Sequence, residues 1–210
     1  MARRNCAAPG RERTVAPSGT IPAHDLPPDV RRKALLRVIE NLKRAIYDRQ
    51  ACNGIVRGDP KYSGPQIFPL AREALYMQSI LRTAKAFDHH PKAASFFMFR
   101  DLRPDVVEET ARERDFDLAR LQEFAGKLRK IRNRALAHDD IDDIRRDRDV
   151  WEEQEIAGGE LTACTEFAFA ALNEILNREF GEVVELLNYD GADAEELARI
   201  ANAQDLNRKW

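Results

Sequence analysis

The chain has 210 residues, of which 43% are hydrophobic and 33% charged, and this suits one soluble globular domain with a buried core. Its formal net charge of -2 excludes a protein that coats nucleic acid indiscriminately, so any contact with RNA requires a local basic patch. The cysteines Cys6, Cys52 and Cys164 are far apart, which indicates reduced thiols and gives no sign of a disulfide framework or a zinc site.

The two ends of the chain are predicted to lie outside the core. Residues 1–26 are rich in proline and almost lack large apolar side chains, so they predict a flexible N-terminal tail. This tail lacks the apolar run of a signal peptide, and no segment approaches the roughly 18 apolar residues of a membrane span. We therefore expect a cytoplasmic protein without membrane contact. Residues 191–210 are expected to hold a short helix, with too few apolar residues for the core, and a tail.

Four long helices are predicted within residues 27–190. The first starts at Pro28 and ends near Gly58, and the second, about 66–87, has so broad an apolar surface that it should be covered on several sides. After two short elements around Pro104, the third covers about 116–138, and the fourth runs from the glycine pair at 158 and 159 through GEVVELL. No strand-like alternation occurs, so the sequence predicts an all-α bundle of about four long helices plus short accessory helices.

The third long helix ends in KIRNRALAHDD, residues 130–140, and five cationic residues lie between Lys127 and Arg134. At about 100° per residue, an apolar seam runs along one face of this helix, and Arg132 and His138 lie roughly 60° to either side of it. The seam consists of Leu121, Phe124, Leu128, Ile131 and Ala135. It should face another helix, and if that helix came from a second copy, a twofold axis would bring two Arg–His pairs together.

An arginine and a histidine in this arrangement suit RNA cleavage without a metal ion. A neutral imidazole at His138 can take a proton from a ribose 2′-hydroxyl or donate one to the leaving oxygen near pH 7. The guanidinium of Arg132 can bind the scissile phosphate. The neighbouring cationic side chains that can hold the RNA backbone are Lys127, Arg129, Lys130 and Arg134. Basic residues in the last turns of a helix also complement its dipole. The spacing alone is therefore also compatible with residues that only stabilise the end of the helix.

The segment RNRALAH, Arg132 through His138, resembles the R-polar-x4-H signature of the HEPN superfamily of small helical-bundle proteins. The setting agrees, because a long helix late in the domain is followed by an irregular stretch and another long helix. Residues from about 28 to 190 look most similar to the abortive-infection, AbiU-like branch, in which an acidic residue commonly follows the histidine, as it does in AHDD.

The resemblance implies an HEPN-like bundle that acts as a metal-independent endoribonuclease and homodimer, without a cofactor and often as a toxin or antiphage effector. By position, Arg132 would bind the phosphate, His138 would do acid–base work, and Asn133 would orient the pair. An antitoxin or regulatory protein would be a further partner. Asp140 stands where toxins silenced by a nucleotidyltransferase antitoxin usually have a tyrosine, so adenylylation is not implied. Because many HEPN proteins have lost catalysis, a non-catalytic module that binds a protein or nucleic acid stays as the alternative.

Three other groups of residues have both a functional and a structural interpretation. Asp140 and Asp142 are carboxylates that could ligate magnesium, but no glycine turn fixes their geometry, and we expect no metal site. His89 and His90 lack a third ligand nearby, which favours a loop that ends a helix. The aromatic cluster at 96–99 is typical of core or dimer packing, although such rings also stack on bases. Nucleotide-cofactor and hydrolase motifs do not occur.

Overall fold

The computed structural model describes residues 22–58, 67–90, 92–133 and 156–207, with side chains described through residue 203. Within these ranges no residue lies in a strand, so the predicted all-α class is confirmed. The elements are a 3-10 helix at Ala23–Asp25 and the α-helices α1 (Pro28–Gly58), α2 (Ile67–Ala86), α3 (Phe96–Leu102), α4 (Pro104–Glu113), α5 (Leu118–Ile131), α6 (Gly158–Phe180) and α7 (Ala192–Asn207).

The core lies where α1 packs against α2 and α6. The side chains of α1 that recur at three- and four-residue steps are buried, as their spacing predicts, and each contributes about 1.5–3 kcal/mol when fully buried. They include Leu35, Ile39, Leu42 and Ile46. A second part of the core is aromatic, because Phe96, Phe97 and Phe99 of α3 are buried, and this confirms the core interpretation of that cluster.

Helix α2 is buried mainly along its C-terminal half, where Ile80 is fully buried. Near its start, Ile67 is 62% and Leu70 is 61% exposed. The prediction that neighbours cover this helix on several sides is therefore wrong for its first turns. Apolar spacing shows which side chains share a face of a helix, but it does not show how far along that face the neighbouring helices extend.

Helix α6 is shorter than predicted. It ends at Phe180 because Gly181 adopts a left-handed conformation with φ 67°, and the Gly181 N–H donates to the carbonyl oxygen of Asn177 at 2.8 Å. The chain then folds back along the helix. The Asn173 side chain accepts a hydrogen bond from the Val184 N–H at 2.8 Å and donates one to the Val184 carbonyl oxygen at 3.2 Å. GEVVELL is therefore an irregular segment and no continuation of the helix.

The apolar seam of α5 is buried inside the chain itself. Leu121, Phe124, Leu128 and Ile131 are each at most 2% exposed, and α5 packs on α2 and α6. The seam does face other helices, as predicted, but they are the chain's own. The described part of the seam, residues 121–131, is consequently part of the core of one chain.

Helix α7 packs against α1 with the two backbones in close contact. A Cβ added at Gly54 would overlap the carbonyl oxygen of Gly191, and one added at Gly58 would overlap that of Glu195. Gly191 itself has a φ of 80°, a backbone conformation that residues other than glycine rarely adopt. The short C-terminal helix, which the sequence placed outside the core, is thus fixed to the longest helix.

The 3-10 helix lies within the predicted N-terminal tail. Ala23 is only 3% exposed and belongs to the core cluster, and its helix contacts α3, so residues 23–25 are folded. Residues 1–21 of that prediction lie outside the described part of the chain. None of the helices in the described ranges combines the length and the apolar character that crossing a membrane requires.

Candidate functional site

Arg132 and Asn133 lie at the C-terminal end of α5. The preceding residue, Ile131, is 1% exposed and anchors this end of the helix in the core. Arg132 keeps a helical conformation, and its N–H donates to the carbonyl oxygens of Leu128 and Arg129. Arg132 and Asn133 lie in a π-type turn, a local geometry that is frequent at functional sites. Arg132 therefore lies at the edge of the helical bundle, where its side chain is half-buried.

The guanidinium of Arg132 is held by the carboxylate of Asp88, two residues past the end of α2. Arg132 Nη1 lies 2.8 Å from Asp88 Oδ2, and Arg132 Nε donates to Asn133 Oδ1 at 3.1 Å. The other carboxylate oxygen, Asp88 Oδ1, accepts a hydrogen bond from the His90 N–H at 3.0 Å. Both oxygens of Asp88 are thus engaged, and two elements that are distant in sequence fix one arginine.

Asp88 is ionised at neutral pH. Burial of its carboxyl group opposes ionisation, but the hydrogen bonds from Arg132 and from the His90 N–H, together with the charge of Arg132, outweigh that effect. The pKa of Asp88 consequently lies below its usual value. The contact with Arg132 is a charge-assisted hydrogen bond, which is roughly twice as strong as a neutral one.

A pocket of about 240 Å³ opens beside this ion pair. His89, which is exposed, lies flat on the ring of Phe97, with ring centroids 4.1 Å apart and planes inclined by 19°. The guanidinium carbon of Arg100 is 5.1 Å from the centroid of the same ring. The residues that line the pocket include Asp88, His89, His90, Phe97, Arg100 and Gln122. A histidine, an arginine and the partner of Arg132 therefore share one cavity.

The imidazole of His89 is neutral at pH 7. Partial burial of the ring is the largest influence and lowers the pKa of His89, because it disfavours the charged form. The positive charges of Arg129 and Arg100 lower it further, while Asp88 acts in the opposite direction. Helix α5 itself reaches the pocket, because Gln122 is one of the lining residues.

The predicted RNA-binding cations differ in their surroundings. Arg129 and Lys130 are exposed. Lys127 is half-buried, and its Nζ binds both carboxylate oxygens of Glu160 on α6, at 3.1 and 3.2 Å. The hydrogen bond to Glu160 raises the pKa of Lys127. Lys127 thus joins α5 to α6, whereas Arg129 and Lys130 are accessible to a ligand.

The described residues contain only part of the predicted site. Arg132 and Asn133 lie together, but Arg134 and His138 lie outside the described ranges, as do Asp140 and Asp142. The pairing of Arg132 with His138 therefore stays a prediction. Among the residues that the structure describes, no three His, Cys, Asp or Glu side chains are grouped in a way that could hold a metal ion.

Sequence reasoning missed Asp88, His89 and Arg100 as members of this site. It treated DHHP as the stop of a helix, although an acid and two histidines directly after a long helix are an unusual group. Asp88 and Arg132 lie on different elements, so helical spacing does not relate them. The observation that places them together is the packing of α2 against α5.

A family model described as AbiU2, from the HEPN group, matches residues 56–197, about two thirds of the chain. No curated protein and no solved structure matches the chain. The matched span contains the motif Arg132 through His138 and the pocket at residues 88–101. It also contains α2 through α6, which agree with the helical bundle expected from the resemblance. The chain therefore belongs to the AbiU2 family of HEPN proteins.

Proposed function

We propose that this protein is a metal-independent endoribonuclease that acts in abortive infection, as a toxin or antiphage effector. The observation that supports this best is the position of Arg132. It belongs to the segment that resembles the HEPN signature, and its guanidinium is bound by Asp88, which lines the pocket.

Counted over the described residues, the contacts of the Arg132 guanidinium leave N–H donors for a phosphate. An arginine side chain has five N–H donors, and the contacts with Asp88 and Asn133 engage Nη1 and Nε. The remaining N–H groups can bind the scissile phosphate while Asp88 keeps the side chain in place. A donor that is already oriented stabilises the charge growing on the phosphate without reorganising during the reaction.

The proposed reaction is an attack of the ribose O2′ on the adjacent phosphorus. The bond from O2′ to phosphorus forms and the bond from phosphorus to O5′ breaks, which yields a 2′,3′-cyclic phosphate and a free 5′-hydroxyl. His138 takes the O2′ proton or returns one to O5′, and Arg132 stabilises the phosphate oxygens. Arg129, Lys130 and Arg134 hold the backbone on either side.

We also propose that the active form is a homodimer, with an antitoxin or regulatory protein as a further partner. Burial of the described α5 seam within one chain supports a dimer that forms through another surface. Two polar ends carrying Arg132 would then meet across the twofold axis.

A non-catalytic module is the second candidate, and one observation favours it. The contact between Arg132 and Asp88 joins the end of α5 to the end of α2, so this arginine has a structural role even without a substrate. Under this alternative the chain binds RNA or a protein and cuts nothing.

Incubating the purified protein with labelled RNA in EDTA tests the proposal. We expect cleavage to 2′,3′-cyclic phosphate ends, and a loss of roughly a hundred- to ten-thousand-fold in rate for His138→Ala. Arg132→Ala should behave similarly. The control is Arg44→Ala, which removes an exposed arginine of α1 that binds Glu40 of the same helix. RNA that is bound but cut by no variant would support the non-catalytic module. Equal cleavage by wild type and His138→Ala would sink the nuclease proposal.

A further inference from the structure

We propose that the pocket between the end of α2 and helix α3 is a stacking subsite for one unpaired base of an RNA strand, beside the phosphate bound by Arg132. The subsite rests on the proposed function for its place next to the scissile phosphate. It adds the substrate class, which is single-stranded RNA.

The platform of the subsite is the imidazole of His89. One face of this ring is covered by Phe97 at 4.1 Å. Phe97 is in turn held by edge contacts with Phe87 and Phe96, whose centroids lie 5.9 and 5.7 Å away. His89 nevertheless is exposed and lines the pocket. Its outer face is thus a flat, supported surface, and an aromatic surface of this kind stacks with any base.

The charges around the pocket are nearly balanced. Arg100 donates from Nε and Nη2 to Asp101 Oδ1 at 2.9 and 2.7 Å, and Arg132 is paired with Asp88. The imidazole of His89 is neutral, because its pKa lies below the usual value. A bare phosphate therefore gains little from entering, whereas a neutral planar base meets a ring to stack on and polar edges to bond.

The size of the cavity also favours a base. Its volume of about 240 Å³ is below the roughly 300–1,000 Å³ of pockets for drug-sized ligands, and it suits one planar ring system. The exposed Arg129 acts on His89 electrostatically and can bind the phosphate that follows this base. In a duplex the bases are stacked on each other, so only an unpaired base can reach His89.

The test is a binding measurement that does not require cleavage. A short fluorescent oligonucleotide with 2′-O-methyl riboses cannot be cut by attack of O2′, and its anisotropy reports binding. We expect His89→Ala to weaken binding of the single strand by roughly five- to a hundredfold, which is the range for one stacked base. His89→Phe should restore most of the affinity, because a phenyl ring also stacks. An acid–base role for His89 would not be rescued in this way, because a phenyl ring carries no titratable proton.

Salt dependence separates stacking from charge. His89→Ala should leave the slope of log Kd against log salt unchanged, whereas Arg129→Ala should reduce it by roughly one unit. The control is His24→Ala, which removes a histidine that is 69% exposed and does not line the pocket. The same oligonucleotide paired with its complement should bind equally to wild type and His89→Ala.

The outcomes distinguish this proposal from the nuclease proposal. Binding that depends on His89 without any cleavage of natural RNA would support the subsite and remove the nuclease. Cleavage of natural RNA, together with unchanged binding by His89→Ala, would support the nuclease and remove the subsite. The subsite is also overturned if wild type binds no single strand, if it prefers a protein ligand at this pocket, or if duplex binding falls equally in His89→Ala.

Discussion

At the scale of single residues, Asp88 connects the fold to the site. Its Oδ2 binds Arg132 and its Oδ1 accepts a hydrogen bond from the His90 N–H. The same carboxylate therefore orients the arginine of the motif and fixes the backbone at His90, which lines the pocket. Neither contact tolerates a neutral substitute well, because each is strengthened by the negative charge.

Replacing Asp88 by asparagine should therefore lower the rate of RNA cleavage strongly, while the free energy of unfolding changes little. We expect a rate loss of roughly a hundredfold for a misplaced Arg132, with a smaller change in RNA affinity. The matched control is Asp48→Asn, which breaks a similar pair, Asp48 with Arg82 at 2.8 Å, between α1 and α2. Single-turnover kinetics and thermal unfolding of both variants decide this. Equal rates for the two variants at equal folded fraction would mean that Asp88 is only structural.

Cys164 gives a prediction for alkaline pH. Its burial, and then the charge of Glu160, raise the pKa of the thiol from 9.0 to about 11. The folded state therefore keeps a proton that the unfolded chain loses, and this contribution to stability is complete below about pH 8.5 and disappears as the pH rises towards 11. We expect Cys164→Ala to unfold with a weaker dependence on pH between 9 and 11 than wild type. Urea unfolding at each pH measures it, and identical pH profiles would contradict it.

At the scale of elements, the contact of α1 with α7 depends on glycine. Gly54→Ala should force the two backbones apart, with a loss of about 1–3 kcal/mol in unfolding free energy, as overpacked contacts show. The control is Gly126→Ala within α5, where nothing lies within 4 Å of an added Cβ. That substitution should stabilise the helix by about 0.5–1 kcal/mol. Urea midpoints decide between them, and a neutral Gly54→Ala would show that α7 is only loosely attached.

How much of the fold is predictable also differs between elements. The stripe of α1 and the seam of α5 follow from spacing, because one side of each helix is buried along its length. The end of α6 does not, because Val183, Leu186 and Leu187 continue an apolar pattern after Gly181. The hydrogen bonds between Asn173 and Val184 show that the chain has turned back.

The candidate site was predictable in part for a similar reason. Arg132 and Asn133 are visible in the sequence as members of a local motif. Asp88, His89 and Arg100 become neighbours of that motif through the packing of α2, α3 and α5, and no short-range pattern contains this information.

At the scale of the whole molecule, burial of the α5 seam predicts that seam substitutions change the stability of the fold and not the affinity of the dimer. Leu128→Ala should lower the unfolding free energy by about 2–5 kcal/mol, because Leu128 is 1% exposed within one chain. We expect the protein to sediment as a dimer, and the folded fraction of Leu128→Ala to keep the dimer affinity of wild type. Leu187→Ala, at a side chain that is 65% exposed, is the control for stability. A monomer at high micromolar concentration would contradict the dimer, and a folded monomeric Leu128→Ala would return the interface to α5.

The contact between α1 and α7 has a consequence for the order of events during synthesis. Arg57 donates a hydrogen bond of 2.8 Å to Glu195, which lies 138 positions later in the chain, and α1 at Gly54 packs closely against Gly191 and Ala194. A growing chain therefore lacks this neighbour of α1 until residues 191–198 leave the ribosome, even though Asp88 and Arg132 have been made long before. For a protein proposed to cut cellular RNA, the delay means that the complete fold is reached late, after the motif itself has been translated.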